Sequence, residues 1–230
     1  MTGEAERWRL PVWWWGPLRS DRSRFTIGDL VGQRVLDQPS AEHLARFVGQ
    51  GASTIVCALP SGAGKTTLLT ALMPFVAETR KPYFVRGMFD PLDQLNAVEP
   101  NRRALLINEI SPHLPIYLWG SAACRVFDFG LNGAQLLATA HADSPESLVH
   151  QLMSYPTNAS AEHLRVWDLV IFLDAWRERS MVRRQVSSVA SLSGAVEQGI
   201  AVDRLAWREK RNVALEWDLR AVDSLLDRLR

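Results

Sequence analysis

The sequence predicts an α/β protein: a mainly parallel sheet with helices on both faces and antiparallel strands added toward the C-terminus. Three observations predict it. Short runs rich in β-branched residues alternate with helical segments, the pattern of a parallel sheet joined by crossover helices. One such run, STIVCAL at 53–59, leads directly into PSGAGKTT at 60–67, a glycine-bearing turn ahead of a helix. The composition is also that of a globular chain, with 47% hydrophobic and 22% charged residues. Its 230 residues suffice for one well-filled domain and are short for two.

Residues 1–24 read as an aromatic arm, with Trp13, Trp14 and Trp15 between Pro11 and Pro17. Three adjacent tryptophans cannot share one face of a helix or strand. Two readings stay open: an arm folded back on its own domain, or one docked on a neighbouring subunit. Residues 25–230 read as a single domain. Ser40 is expected to cap a helix over 41–48 that buries Leu44, Phe47 and Val48 and ends at Gly49 and Gly51. A strand over 53–58 precedes the glycine-bearing turn, and the helix beginning at Lys65 should stop or kink at Pro74.

Strands follow at 83–89, 103–110 and 134–140. Ser144 and Pro145 open a helix through Leu152, and Ser160 caps a short one. DLVIFLDAW at 168–176 is a strand, and 181–192 a strand nearer an edge. GIAVDRLAW and NVALEWD suggest a closing hairpin. The last helix carries Leu219, Val222, Leu225, Leu226 and Leu229 along one side.

Composition also bounds function. A net charge of +1 argues against a general nucleic-acid binder, and no specific nucleic acid is expected. No run of eighteen apolar residues occurs, so no membrane span is expected, and the charged start is not that of a signal peptide. Cys57 and Cys124 sit in apolar surroundings and read as core thiols of a cytosolic protein.

The strand, turn and helix around PSGAGKTT form the setting of a phosphate-binding loop. Ser61, Gly62, Ala63, Gly64, Lys65, Thr66 and Thr67 would line it. Gly62 and Gly64 allow the tight turn that converges backbone amides on phosphate oxygens, and the helix start adds its dipole. Lys65 would reach the β- and γ-phosphates, and the Thr66 hydroxyl would ligate Mg²⁺. The chain is sparing with lysine (only Lys65, Lys81 and Lys210) and places one where a compact cation is wanted. The usual pattern begins with glycine where this chain has Leu59. A side chain there either weakens binding or merely shifts the loop.

A carboxylate near the γ-phosphate is also needed, and Glu109 at the end of RALLINEI is placed to orient or deprotonate water. Asp90 has two readings: it positions Mg²⁺-bound water, or it belongs to an Asp-Pro turn. His141 ends a strand, where ligands of such sheets bind, and could donate to phosphate or to Glu109. No second His or Cys stands at a metal-like spacing from it, so a zinc site is not expected. His43, His113, His150 and His163 read as surface or helix residues.

Residues from about 25 to 195 resemble the ATPases of type II and type IV secretion and of type IV pili, closest to the branch powering tight-adherence pili. FTIGDLV followed by QPSAEHLARFV resembles that branch's short strand and helix ahead of the loop. PSGAGKTTLLTAL resembles its phosphate loop, LLINEI its Walker B strand, TAHADSPESLVHQL its histidine box, and DLVIFLDAW the strand that follows. The resemblance implies a RecA-like P-loop NTPase domain that forms a homo-oligomer, a hexameric ring, with ATP and Mg²⁺ between subunits. It implies a phosphate- and Mg²⁺-holding Lys65 and Thr66, a catalytic Glu109 and a histidine-box His141.

It further implies a cytoplasmic motor, peripheral to the inner membrane through a pilus or secretion platform protein, with a second ATPase as another partner. The chain departs from the pattern at Leu59 and Pro60, at the acidic pair normally found near Asp90, and at Ser111, where an Arg is usual. The family's large N-terminal domain has only about 24 residues in its place. The expectation is an ATP-binding and ATP-hydrolysing motor subunit. The alternative is a catalytically weak or inactive RecA-like paralogue acting as an assembly or regulatory partner.

Overall fold

A computed structural model describes residues 25–114, 116–196 and 199–230. The expected aromatic arm, 1–24, lies outside the described residues. The strands are β1 (Thr54–Cys57), β2 (Lys81–Val85), β3 (Arg103–Ile110), β4 (Gln135–Ala140), β5 (Leu169–Glu178), β6 (Met181–Val196), β7 (Gly199–Trp207) and β8 (Glu216–Trp217). They form one sheet in the order β2-β3-β4-β1-β5-β6-β7-β8. The pairs among β1 to β5 are parallel, and those from β5 through β8 are antiparallel. This is the RecA-like arrangement, in which β4 separates the strand entering the phosphate loop from the strand bearing Glu109.

The helices are α1 (Ile27–Gly32), α2 (Gln38–Gly49), α3 (Lys65–Leu72), α4 (Ser121–Leu131), α5 (Pro145–Met153), α6 (Ala161–Leu164) and α7 (Leu219–Arg228). Side-chain alternation along the strands sends residues into two cores, one on each face. Val56 joins Leu44 and Phe47 of α2, Leu69 and Leu72 of α3, and Leu225 of α7. Ile55 and Cys57 point the other way, into a core with Val126 and Phe127 of α4, Leu148 of α5 and Leu164 of α6. No helix among the described residues is long and apolar enough to cross a membrane.

Several local expectations change. FTIGDLV is helical, not a strand: Thr26 and Asp29 form a reciprocal capping box that starts α1. Asp37, not Ser40, caps α2, while the buried Ser40 hydroxyl accepts from Trp217 Nε1 at 3.1 Å. The strand expected over 83–89 ends at Val85 because Gly87–Phe89 turns into a 3₁₀ segment. α4 is a helix that the sequence reading does not assign. β6 lies nearer the sheet edge than β5, as expected, with β7 and β8 outside it. Leu219 is 65% exposed, so the buried stripe of α7 is Val222, Leu225 and Leu226.

Candidate functional site

The parallel strands bring their carboxyl ends to one edge, and the three chemical residues meet there. β1 runs into a loop that turns at Gly62 (φ 76°) and Gly64 (φ 100°), both in the left-handed region that glycine tolerates. Gly64 precedes α3, and no side chain caps that helix. Its first amides therefore face the loop without a side-chain partner from the capping position. Leu59 does not need to be glycine: it is absent from the positive-φ residues of the chain. Its side chain is 54% exposed and lines a cleft with Asp143, Phe172, Asp174 and Arg211.

Lys65 is buried at the start of α3. Its Nζ lies 3.4 Å from the Ala58 carbonyl and 3.3 Å from His141 Nε2, and 4.0 Å from Glu109 Oε2. Burial pushes the ammonium below the usual lysine range, and Glu109 pulls it back up. Thr66 and Thr67 are half-buried on the first turn of α3, and their carbonyls accept from Thr70 Oγ1. Ser61 is exposed, and Ala63 is buried.

Glu109 owes its aim to a break in the ladder. The β3–β4 register shifts between Ile107 and Ile110, the kind of bulge that redirects a side chain. Thr139 Oγ1 donates to the Asn108 carbonyl at 2.6 Å. The returning loop pins the Glu109 backbone, with Leu118 N–H donating to its carbonyl at 2.9 Å. Glu109 Oε1 accepts from Ser111 Oγ at 2.9 Å and lies 3.1 Å from His141 Nε2. His141 stands just past β4, with Nδ1 3.1 Å from the Leu59 carbonyl. Carbonyl and carboxylate oxygens only accept, so the Leu59 and Glu109 contacts are both hydrogen bonds when each ring nitrogen carries a hydrogen.

Other sequence expectations fall elsewhere. Asp90 follows β2, three strands from β1, roughly 14 Å away at sheet spacing. Its buried carboxylate accepts from Tyr83 Oη at 2.7 Å, Arg86 N–H at 2.7 Å and Leu92 N–H at 3.0 Å. The two backbone bonds belong to the Asp-Pro turn, and Tyr83 of β2 anchors it. Arg102 and Arg103 precede and open β3 at the amino edge, opposite the loop. The spacing that speaks against a zinc site is spacing in sequence alone. Spacing in sequence hides that the loop after β3 folds His113 back, so that ligand atoms of Glu109, His113 and His141 all lie within 4.8 Å of one another.

Two neighbours of the site escape sequence reading. Ser111 is fully buried and bonds Glu109, a contact that only the bulge and its loop create. Arg184 comes from β6, and its Nε donates to the Gly62 carbonyl at 3.0 Å. A Cβ on Gly64 would lie 3.2 Å from Arg184 Cδ. The hairpin that folds β6 over the loop has no local signal pointing at residue 62.

Fold and site together define a RecA-like P-loop NTPase fold. No family model and no curated protein matches the chain. Among solved structures, the chain is similar to the VirB11 ATPase of the Brucella suis type IV secretion system in complex with sulphate. That match has 17% identity and a TM-score of 0.47 and covers 75% of this chain and 66% of that one. It is also similar to the Legionella pneumophila ATPase DotB, with 12% identity, a TM-score of 0.48, and 75% of this chain and 52% of that one covered.

Proposed function

We propose that this chain binds and hydrolyses ATP as a motor subunit of a pilus-assembly or secretion-like machine. The observation that carries the ATPase reading is the convergence of Lys65, Glu109 and His141 beside the uncapped start of α3. The loop is suited to polyphosphate: two left-handed glycines open the backbone, and a buried cation waits at its base. The Mg²⁺ that accompanies ATP would be held through Thr66 and would neutralise phosphate charge. Lys65 leaves its internal partners for phosphate. Glu109 orients the attacking water and takes its proton, so that water and ATP give ADP and phosphate. Ser111 and His141 hold the Glu109 carboxylate in that orientation.

The machine assignment rests on the resemblance of the phosphate-loop, Walker B and histidine-box segments. It brings a homo-oligomer, most simply a hexamer, a membrane platform protein and a second ATPase as partners. The second reading, a catalytically weak paralogue, is favoured by Asp90, whose carboxylate is spent on its own turn.

The test is calorimetry with Mg-ATP beside a turnover assay. Lys65→Ala should abolish most binding. Glu109→Gln should bind as the parent does and turn over about a hundredfold or more slower, the scale of a general base. A parent that binds ATP with no Glu109-dependent turnover selects the paralogue reading.

A further inference from the structure

We propose that Glu109, His113 and His141 form a site for a divalent first-row transition metal, Zn²⁺ in class, distinct from the Mg²⁺ that accompanies ATP. Two histidine nitrogens and one carboxylate oxygen are a donor set that zinc takes with a fourth position open. The atoms are already gathered. His141 Nε2 is 3.1 Å and His113 Nδ1 3.9 Å from the same Glu109 oxygen, and the two rings meet edge-on at 5.2 Å between centroids.

A second, independent feature points the same way. Metal-bound histidines are oriented by a hydrogen bond from the other ring nitrogen to a carbonyl or carboxylate. His141 has that support, since Nδ1 bonds the Leu59 carbonyl and leaves Nε2 aimed into the cluster. Ser111 Oγ donates to Glu109 Oε1 at 2.9 Å and steadies that ligand, while its 3.2 Å contact with His113 Nδ1 is one the metal displaces. The nitrogen donors favour zinc, cobalt or nickel over Mg²⁺, which prefers oxygen. His113 is 61% exposed at its side chain, so the ion has a way in.

The Lys65 ammonium, 3.3 Å from His141 Nε2, is a resident cation on the same ligands. Metal and ammonium therefore compete, and the metal occupies the carboxylate oxygen facing Ser111 and His141. The consequence for turnover rests on the ATPase reading: a metal-bound Glu109 cannot take a proton from water, so Zn²⁺ inhibits.

The test uses the tag-free full chain titrated with Co²⁺ in excess Mg²⁺ and read by its visible d–d absorption. One equivalent should bind and be displaced by Zn²⁺. His113→Ala, checked for folding by circular dichroism and thermal melting, should lose more than about tenfold in affinity, because even the supporting partners of metal ligands are worth that much. Lys65→Met should tighten Co²⁺ binding several-fold, a direction that a merely structural cluster would not give. Absence of a one-equivalent spectrum, or equal affinity in His113→Ala, overturns the site. A chain that binds Co²⁺ with this pattern but does not hydrolyse ATP upholds the site and rejects only the inhibition. If turnover exists, Zn²⁺ should suppress it in the parent and far less in His113→Ala.

Discussion

Glu109 shows how one side chain's role depends on backbone irregularity around it. In an unbroken ladder, residue 109 would simply alternate between the faces of β3. The shift between Ile107 and Ile110 turns it to the carboxyl edge, where Ser111, His141 and Lys65 meet it. Leu59 makes the converse point: a glycine is missing, yet the backbone there is outside the left-handed region, so no strain attaches to the leucine. Leu59→Gly should leave ATP affinity within about twofold and lower stability by roughly 0.4–1 kcal/mol, because glycine enlarges the unfolded ensemble. Calorimetry and urea unfolding read the two effects, and a large gain in affinity would show that the side chain obstructs the loop. Asp90 should behave as a turn residue. Asp90→Asn leaves one of three buried donors poorly matched, which costs about 1–3 kcal/mol, while ATP affinity stays unchanged. A loss of affinity at unchanged stability would instead give Asp90 a part in binding Mg-ATP.

The elements were legible where a local rule sufficed. β3 falls at the residues expected because RALLINEI holds the continuous apolar run ALLI, and α5 begins at Ser144 and Pro145 because that pair caps and starts a helix. Reading failed where tertiary contacts decide. α4 has Ala, Cys, Val and Phe spaced for burial but opens at Gly120 without a side-chain cap, so it carried no start signal. FTIGDLV looked extended until the Thr26–Asp29 pair is seen as a capping box. The convergence of Lys65, Glu109 and His141 followed from motif order, whereas His113, Ser111 and Arg184 required the loop after β3 and the β5–β6 hairpin. β5 also ties to β1 at the opposite edge, where the Asp168 carboxylate accepts from Ser53 N–H at 2.9 Å. Burial pushes the Asp168 carboxyl up to about 6, against the pull of Ser53 and Arg228. Folding thus favours the protonated form, and its penalty on the native state appears as pH rises from about 4 to 6. Asp168→Asn should stabilise the protein by roughly 2–3 kcal/mol above pH 7, a gain that vanishes near pH 4. Thermal or urea unfolding across that range checks it, and a gain independent of pH would remove the ionisation from the account.

At the scale of the molecule, two cores clamp a sheet whose carboxyl edge carries the loop, Glu109 and His141. The same edge supplies little further positive charge for a phosphoryl-transfer transition state. Among the described residues, Arg184 touches the loop, but its Nε is spent on the Gly62 carbonyl. Arg211, at the neighbouring cleft, lies over the Trp176 ring at 4.8 Å. Arg102 and Arg103 belong to the amino edge, where Arg102 bonds the Thr79 carbonyl and Arg103 the Val98 carbonyl. Arg86 and Arg125 are exposed and free to face another copy. An arginine supplied in trans is worth about three to five orders of magnitude in phosphoryl transfer, so a motor built this way should be slow as a lone subunit. Turnover per subunit is therefore expected to rise with protein concentration. Glu109→Gln protein, which cannot activate water but presents the same outer surface, should activate dilute parent protein when added in excess. Adding Arg86→Ala or Arg125→Ala to that Glu109→Gln partner should remove the activation for whichever arginine acts, while leaving its own ATP affinity intact. Steady-state assays over a wide dilution range measure this. A per-subunit rate that stays flat on dilution, and is unmoved by Glu109→Gln partners, would mean that each chain completes its own site.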